Sequence, residues 1–563
     1  MITMEPAAKL SRNEGLKESN PLLAGTIDQT LADASAERFT EDDYEFLKFH
    51  GIYQQDDRDV RKTGKKYSLM VRTKFPGGVV SAAQYLVCDQ LAAEYGNGTL
   101  RITTRQDFQL HGVLKGNLRQ TIRRLNEALA TTIGACGDVV RNVMAPPTPA
   151  TSQLVEQVLA QARRLSSQLV PRTPAYHSIW LEGKELDLSA EAKAAFADPL
   201  YGKGYLPRKF KFAFAIPPLN DIDVFTNDAG FVVIEEQGRL AGYNVLAGGG
   251  MGMSHGNAQT FPRLADVIGF IGPEPEQVEA AAKAVVTIHR DFGDRANRKH
   301  ARLKYVLAER GVDWFREEME GRMGFQLGPP RPFRFTAQGD KLGWHHQTDG
   351  NYFLGLFVEN GRIRDAGGYR LKSGLREAIQ RWQPEVRLTP SQNILLAGLR
   401  PEGRAELEQV LGEHGIAATN PFSRTRLASM ACPALPTCGL ALAESERFLP
   451  GLLDRFEALL GELGLRDEEI IVRMTGCPNG CTRPYIAEIA FVGKAPNKYQ
   501  IYVGGSLAGN RLAGLYKDSV KGEDLLAELR PLLARYAQER EHRERFGDFC
   551  WRAARGTFAV SDQ

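Results

Sequence analysis

At 563 residues, with 43% hydrophobic and 25% charged residues and a formal net charge of +3, the chain is long enough for several domains of about 150 residues each and carries no global basic field of the kind that attracts nucleic acid. No apolar run reaches the roughly 18 residues that span a bilayer, and Met1–Asn20 mixes acids with bases, unlike a signal or transit peptide. Seven cysteines, four of them closely paired, do not form a secreted disulfide framework, so the expectation is a reducing cytoplasm with Cys88, Cys136 and Cys550 as free or buried thiols.

Residues 1–65 read as an arm: a polar lead, a short helix around Thr26–Ser35, and the run from Phe49 to Asp59. That run looks too polar for a core element and reads as a solvated linker or a segment wrapped over a neighbouring site. Tyr67–Thr73 alternates as a strand, Pro76-Gly77-Gly78 turns, and Ser81–Tyr95 has helical spacing. If Leu100–Gly112 stays extended, Arg101, Thr103, Arg105, Gln109 and His111 share one face, and Ile102, Phe108 and Leu110 share the other. One face is then core and the other is suited to an anion. Further on, Arg141 lies in Val140-Arg141-Asn142-Val143, and Lys209 and Lys211 point the same way if Leu206–Phe212 is extended. A solvated edge strand has the same pattern; together with Arg72, Arg101 and Arg105, the lysines point to a cationic pocket for a small oxyanion or an acidic cofactor. Gly248–Gly252 does not satisfy the dinucleotide-binding fingerprint, and the six Lys or Arg of Arg290–Lys304 read as a solvated helix face.

An internal repeat organises these pieces. Val386–Gly398 matches the Leu100–Gly112 stretch at Arg, Thr, Gln and Gly, and follows a strand, Tyr352–Glu359, and a helix, Ser373–Gln383. Tyr243–Gly249 is echoed by Tyr499–Gly505. The halves, roughly 66–330 and 331–563, are unequal: Arg105, Gln109 and His111 are matched by Ser391, Leu395 and Ala397. A polar face kept in only one copy implies a single active centre between the halves.

The second half alone holds Cys432, Cys438, Cys477 and Cys481. Paired thiolates are the ligands of iron–sulfur clusters. Zinc knuckles prefer shorter gaps than the five residues between Cys432 and Cys438, which leaves a zinc site as the alternative. Pro433, Pro478 and Gly480 favour tight loops whose N–H groups can face cluster sulfurs.

In these motifs, taken in order from about Glu18 to Phe558, the chain resembles the siroheme-dependent sulfite and nitrite reductase family, and most closely its sulfite reductase hemoprotein members. The resemblance implies an α+β fold in which ferredoxin-like half-domains repeat about a pseudo-twofold and form a central domain, with two larger α+β lobes for siroheme and cluster. The boundaries expected are an arm to 65, half-domains 66–135 and 331–415, and lobes 136–330 and 416–563. It further implies a [4Fe-4S] cluster on Cys432, Cys438, Cys477 and Cys481, with Cys481 also the proximal siroheme ligand. Siroheme would be bound by Arg101, Thr103, Arg105, Gln109, His111 and Asn479, and sulfite would lie among Arg72, Arg141, Lys209 and Lys211. The implied reaction is assimilatory six-electron reduction of sulfite to sulfide, with nitrite reduction as the alternative; the electron donor would be an NADPH-dependent flavoprotein or ferredoxin.

Overall fold

A computed structural model describes residues 9–149, 151–173, 179–181, 184–186 and 196–553. The first eight residues of the polar lead and the end of the resemblance at Phe558 lie outside the described residues. Two five-stranded sheets carry the repeat. The first runs Ile52–Asp56, Tyr67–Arg72, Phe108–Val113, Leu100–Ile102, Arg362–Ile363; the second runs Gly343–His346, Tyr352–Leu356, Ile394–Leu399, Glu385–Leu388, Val79–Val80. Each sheet thus ends on a two-residue strand lent by the other half, so neither half completes its own edge. The approach is close enough to require glycine. Gly78 and Gly361 both have φ of +73°, and a Cβ on them would stand 2.4 Å from Leu388 O and 2.5 Å from Ile102 O.

Helices Ala82–Glu94 and Leu371–Trp382 follow the lent strands at matching places. The first begins with a capping box, Ser81 accepting from Gln84 N and Gln84 from Ser81 N. One apolar core joins both half-domains to the first lobe, and a second lies under the second lobe.

The lobes repeat as well. In the first, Phe212–Ala215 pairs parallel with Ala229–Glu236, and Arg239–Ala247 and Asp266–Ile271 follow antiparallel; in the second, Val472–Thr475 pairs parallel with Ile489–Ala495, followed by Lys498–Val503 and Gly514–Lys521. Parallel neighbours need a crossover of about a dozen residues or more. Here each crossover is a loop, 216–228 or 476–488, containing one non-glycine residue in the left-handed region: Asp223 at φ 51° and Arg483 at φ 54°. These two loops face each other across the pseudo-twofold, and the second carries Cys477 and Cys481.

Three expectations are corrected. Ile52–Asp56 is an edge strand paired with Tyr67–Arg72, and Phe49 and Ile52 are buried; the segment read as too polar, inside the expected arm of 1–65, hydrogen-bonds through its backbone. Leu100–Gly112 is a hairpin instead of one extended run, because Gln106 takes a left-handed φ of 58° and Thr103 Oγ1 accepts from Arg105 N and Asp107 N at 3.1 and 3.2 Å. Arg290–Lys304 is no solvated helix face: the helix Pro275–Phe292 ends within the run, and Arg302 and Lys304 turn inward to buried partners.

Candidate active site

The strand pair of the second lobe sets the cysteine geometry. Met430–Ala431 runs parallel to Val472–Thr475, so Cys432 and the 475–477 turn emerge side by side. Cys432 Sγ accepts from Gly476 N at 3.3 Å and Thr475 Oγ1 at 3.5 Å, and Asn479 Nδ2 donates to Cys477 Sγ at 3.5 Å. Burial first, then the charge of Cys481, pushes up the Cys432 and Cys477 thiols; burial, Cys432 and Cys481 push Cys438 to about 11. All four sulfurs therefore share one neighbourhood. Among the described residues no three His, Cys, Asp or Glu side chains converge on a single ion position. Donor N–H groups already aimed at the sulfurs fit an iron–sulfur cluster.

The hairpin delivers the polar face in a modified form. Arg101 and Gln109 are directly opposite each other, and His111 lies two residues on along the same strand. With its carbonyl oxygen turned toward Arg72, Gln109 accepts from Arg72 Nε at 3.3 Å and Nη2 at 2.5 Å. Arg101 is a brace to the cysteine lobe, donating to Glu446 Oε2 at 3.0 Å and Ala431 O at 2.9 Å. Thr103 is occupied in shaping the turn. Arg105 donates to Asn227 Oδ1 at 3.0 Å and Phe212 O at 3.1 Å, while its Nε stays unsatisfied. Both ring nitrogens of His111, Arg141 Nε and Asn142 Oδ1 are also buried without partners. Burial, then Arg362 and Arg101, holds His111 neutral. The orphaned donors among these atoms, Arg105 Nε and Arg141 Nε, fit a polyanionic group.

Arg72, Arg141, Lys209 and Lys211 gather beside this face and the cysteine loop. Tyr53 hydrogen-bonds Arg141 and feels Arg72; Lys209 feels Arg141 and Cys481; Lys211 feels Lys209 and Arg105. Burial, with Arg141 and Arg302 next, pulls Lys209 down to about 7, and burial with Lys209 pulls Lys211 well below its ordinary value. The unfolded lysine keeps its proton to about 10.4. Between those values the unfolded chain binds more protons, so Lys209 makes the folded state relatively more stable as pH rises through 7. Denaturation of cofactor-free protein at pH 6 and 8.5 should show wild type gaining on Lys209→Met at up to about 1.4 kcal/mol per pH unit; parallel pH profiles would contradict this.

Four contributors carried no clear signal in the sequence. Tyr53 lay in the segment read as linker. Arg302 chelates the buried Asp228, with Nε and Nη2 at 2.9 and 2.8 Å from Oδ1. Lys304 Nζ donates to Gly250 O at 3.2 Å and Gly252 O at 2.7 Å, and the same loop reaches the cysteine loop where Met253 N donates to Pro478 O at 3.0 Å. Density of cations in Arg290–Lys304 was their only trace. The fourth is Asp223. Its carboxylate pairs with Arg473 Nη1 at 2.8 Å and with Arg483 Nε; burial opposes its charge, but the two guanidiniums hold it below the usual carboxylate range. Arg473 Nη1 also donates to Arg483 O at 3.1 Å, and Thr104 Oγ1 to Cys481 O at 3.0 Å. Two symmetry-matched positions, 223 and 483, have thus become an ion pair that pins the Cys481 loop. Asp223→Asn should lower the unfolding free energy by about 3–5 kcal/mol, because two buried cations lose their counter-charge; a loss below about 1 kcal/mol in urea denaturation would rule that role out.

The pseudo-equivalent cavity in the second half lacks three of these basic side chains. By strand register, Ser391, Glu469 and Ile471 stand where Arg105, Lys209 and Lys211 stand in the first, and they line a cavity of about 260 Å³. In the first crossover loop Asp221 takes the place of Cys481, and burial with Asp340 beside it raises its carboxyl well above the usual range. Only one of the two related places combines cysteines with cations.

Comparison with known proteins bears on this geometry. Residues 60–128 and 345–414 match the nitrite/sulfite reductase ferredoxin-like half domain, and 160–327 match the nitrite and sulphite reductase 4Fe-4S domain. The sulfite reductase [NADPH] hemoprotein beta-component of Myxococcus xanthus is 50% identical over 550 residues, covering 97% of this chain and 96% of its own. The chain belongs to the nitrite and sulfite reductase family. Another family member, the protein of the same name from Geobacillus kaustophilus, is 48% identical over 546 residues, covering 96% of this chain and 95% of its own. In fold alone, the chain is similar to the Mycobacterium tuberculosis NirA protein, with a TM-score of 0.79 and 23% identity over 97% of each chain. The family's two half-domain matches fall on the two sheets that exchange edge strands. Its 4Fe-4S-domain match covers the first lobe, whose crossover loop has no cysteine; the four cysteines lie in the second-lobe counterpart.

Proposed function

We propose that this protein is an assimilatory sulfite reductase, taking sulfite with six electrons and seven protons to hydrosulfide and three waters. The observation that carries the reading is the proximity of four thiols and four basic side chains, in a chain whose curated relatives are named as sulfite reductase hemoproteins. Cys432, Cys438, Cys477 and Cys481 would hold a [4Fe-4S] cluster. Arg101, Arg105, Gln109, His111 and Asn479 would hold siroheme, joined to the cluster through Cys481, with Thr103 fixing the hairpin that presents them. Bound together, the two groups supply electrons one at a time.

The remaining chemistry belongs to the chain. The guanidiniums of Arg72 and Arg141 neutralise the anion. Lys209, drawn to about 7, can give up a proton near neutral pH and take another from solvent, as a general acid must. Lys211, shifted in the same direction by burial and Lys209, adds a second amine at the same place. Fixed cations in a poorly hydrated cavity act most strongly on charge that develops as S–O bonds break. Tyr53 orients Arg141.

Nitrite is the second reading, since it too is a small anion. Purified, reconstituted protein given a chemical reductant should form sulfide from sulfite, with a kcat/KM for sulfite above that for nitrite; nitrite consumption without sulfide would reverse the assignment. The relatives' name implies a separate NADPH-dependent flavoprotein component, which we take as the donor, with ferredoxin as the alternative. No helix among the described residues is long and apolar enough to cross a membrane, and a cytoplasmic location suits the reduced thiols.

A further inference from the structure

Electrons pass between proteins only over short distances, so a donor must reach a surface close to the cysteine site. The loop that directly follows Cys438 is one such surface. Gly439 and Leu440 follow it; Leu440 is 68% exposed and Leu442 37%, two of the six exposed large hydrophobics among the described residues, whereas the other four are Leu10, Leu114, Leu129 and Phe422, none within three residues of another. The loop is fixed in this shape. Ala441 N donates to Cys438 O at 3.1 Å, Leu442 N to Gly476 O at 2.7 Å and Ala443 N to Gly476 O at 3.0 Å, with Ala441 and Ala443 buried. The two leucines are therefore held outward on an anchored loop, in a chain that buries most of its apolar side chains.

A basic segment lies against this corner. Arg58 N donates to Pro436 O at 3.3 Å, the Arg58 guanidinium bonds Ala441 O, and Arg447 Nη1 pairs with Asp59 Oδ2 at 2.7 Å. The segment continues through exposed Arg61, Lys62, Lys65 and Lys66. Local acids are largely consumed: Asp56 pairs with Arg61, and Asp59 and Glu444 with Arg447. Asp57 is left facing Arg58 and three lysines that have no ion-pair partner among the described residues. An apolar centre with a basic rim has the anatomy of a transient protein interface, and its charge selects an acidic partner and speeds encounter.

We infer that Leu440, Leu442 and the Lys62–Lys66 segment form the docking surface for an acidic one-electron carrier protein. This rests on the proposed function, and two electron sources separate them. Holoenzyme and the variants Leu440→Glu and Lys62→Glu/Lys65→Glu/Lys66→Glu would be assayed for sulfide with reduced methyl viologen, a small dye, and with two acidic carriers, reduced plant-type ferredoxin and reduced flavodoxin. With the dye all proteins should agree within about twofold and keep the holoenzyme absorption spectrum. With at least one carrier, wild-type kcat/KM should fall as salt rises, and each variant should lose about tenfold or more at low salt, within the range electrostatic steering gives. Variants that match wild type with the carriers, carrier rates indifferent to salt, or wild type accepting electrons from neither carrier would overturn the docking surface. Failure with the dye as well would instead sink the proposed function. If Leu440→Glu alone disturbs the spectrum, the lysine variant decides.

Discussion

Cys481→Ser should abolish sulfite turnover, with a fall of more than about a thousand-fold, equivalent to over 4 kcal/mol in the barrier, and should remove the optical and magnetic coupling between siroheme and cluster. The structure gives Cys481 a place unlike that of the other three cysteines. It is exposed to the cavity, whereas Cys432 and Cys477 are buried, and it is the thiol that Lys209 on the cavity's cationic wall feels. Its loop is also the most firmly held: Thr104 bonds its carbonyl, and the neighbouring Arg483 is tied to Asp223 of the first lobe. Serine keeps the shape but replaces a soft, readily ionised sulfur by a hard hydroxyl, a poor ligand for iron–sulfur chemistry. A serine variant with normal coupled spectra would remove the bridging role.

Lys211→Met should have the opposite signature, with both cofactors retained and chemistry slowed. Loss of one acid and cation at the substrate position should lower turnover about 100- to 10,000-fold. It should also stabilise cofactor-free protein by about 1–4 kcal/mol, because an amine whose protonation is opposed first by burial and then by Lys209, Arg105 and Arg302 gives way to an apolar side chain of similar length. A residue that harms the empty fold while serving the reaction is what a functional cation looks like. Unchanged kinetics would reduce Lys211 to a strand-side lysine, and a less stable variant would show that it supports the fold.

The repeat was visible in the sequence because backbone demands repeat: the Arg, Thr, Gln and Gly shared by Leu100–Gly112 and Val386–Gly398 mark a hairpin whose turn needs a left-handed glutamine, Gln106 or Gln392. The first hairpin itself was not visible, since the turn Thr103–Gln106 contains no Gly or Pro and its alternation reads as one strand. Ile52–Asp56 was missed for a related reason. An edge strand with polar side chains is held by its backbone, and burial patterns do not report that. The cysteines were legible because thiol spacing carries its own chemistry. Arg302, Lys304 and Asp223 were not, because a buried charge is recognisable only with its partner, and Asp228, the carbonyls of Gly250 and Gly252, and Arg483 are far off in sequence. The two-residue strands Val79–Val80 and Arg362–Ile363, which bind the halves together, were likewise too short for any periodicity.

The most direct test of the central claim, a siroheme and four-iron cluster joined at Cys481, is the absorption spectrum of the purified protein together with its iron, zinc and acid-labile sulfide content. The account predicts siroheme bands and about five irons per chain, one in the tetrapyrrole and four in the cluster. A colourless protein containing zinc and no labile sulfide would make the cysteines structural and contradict it.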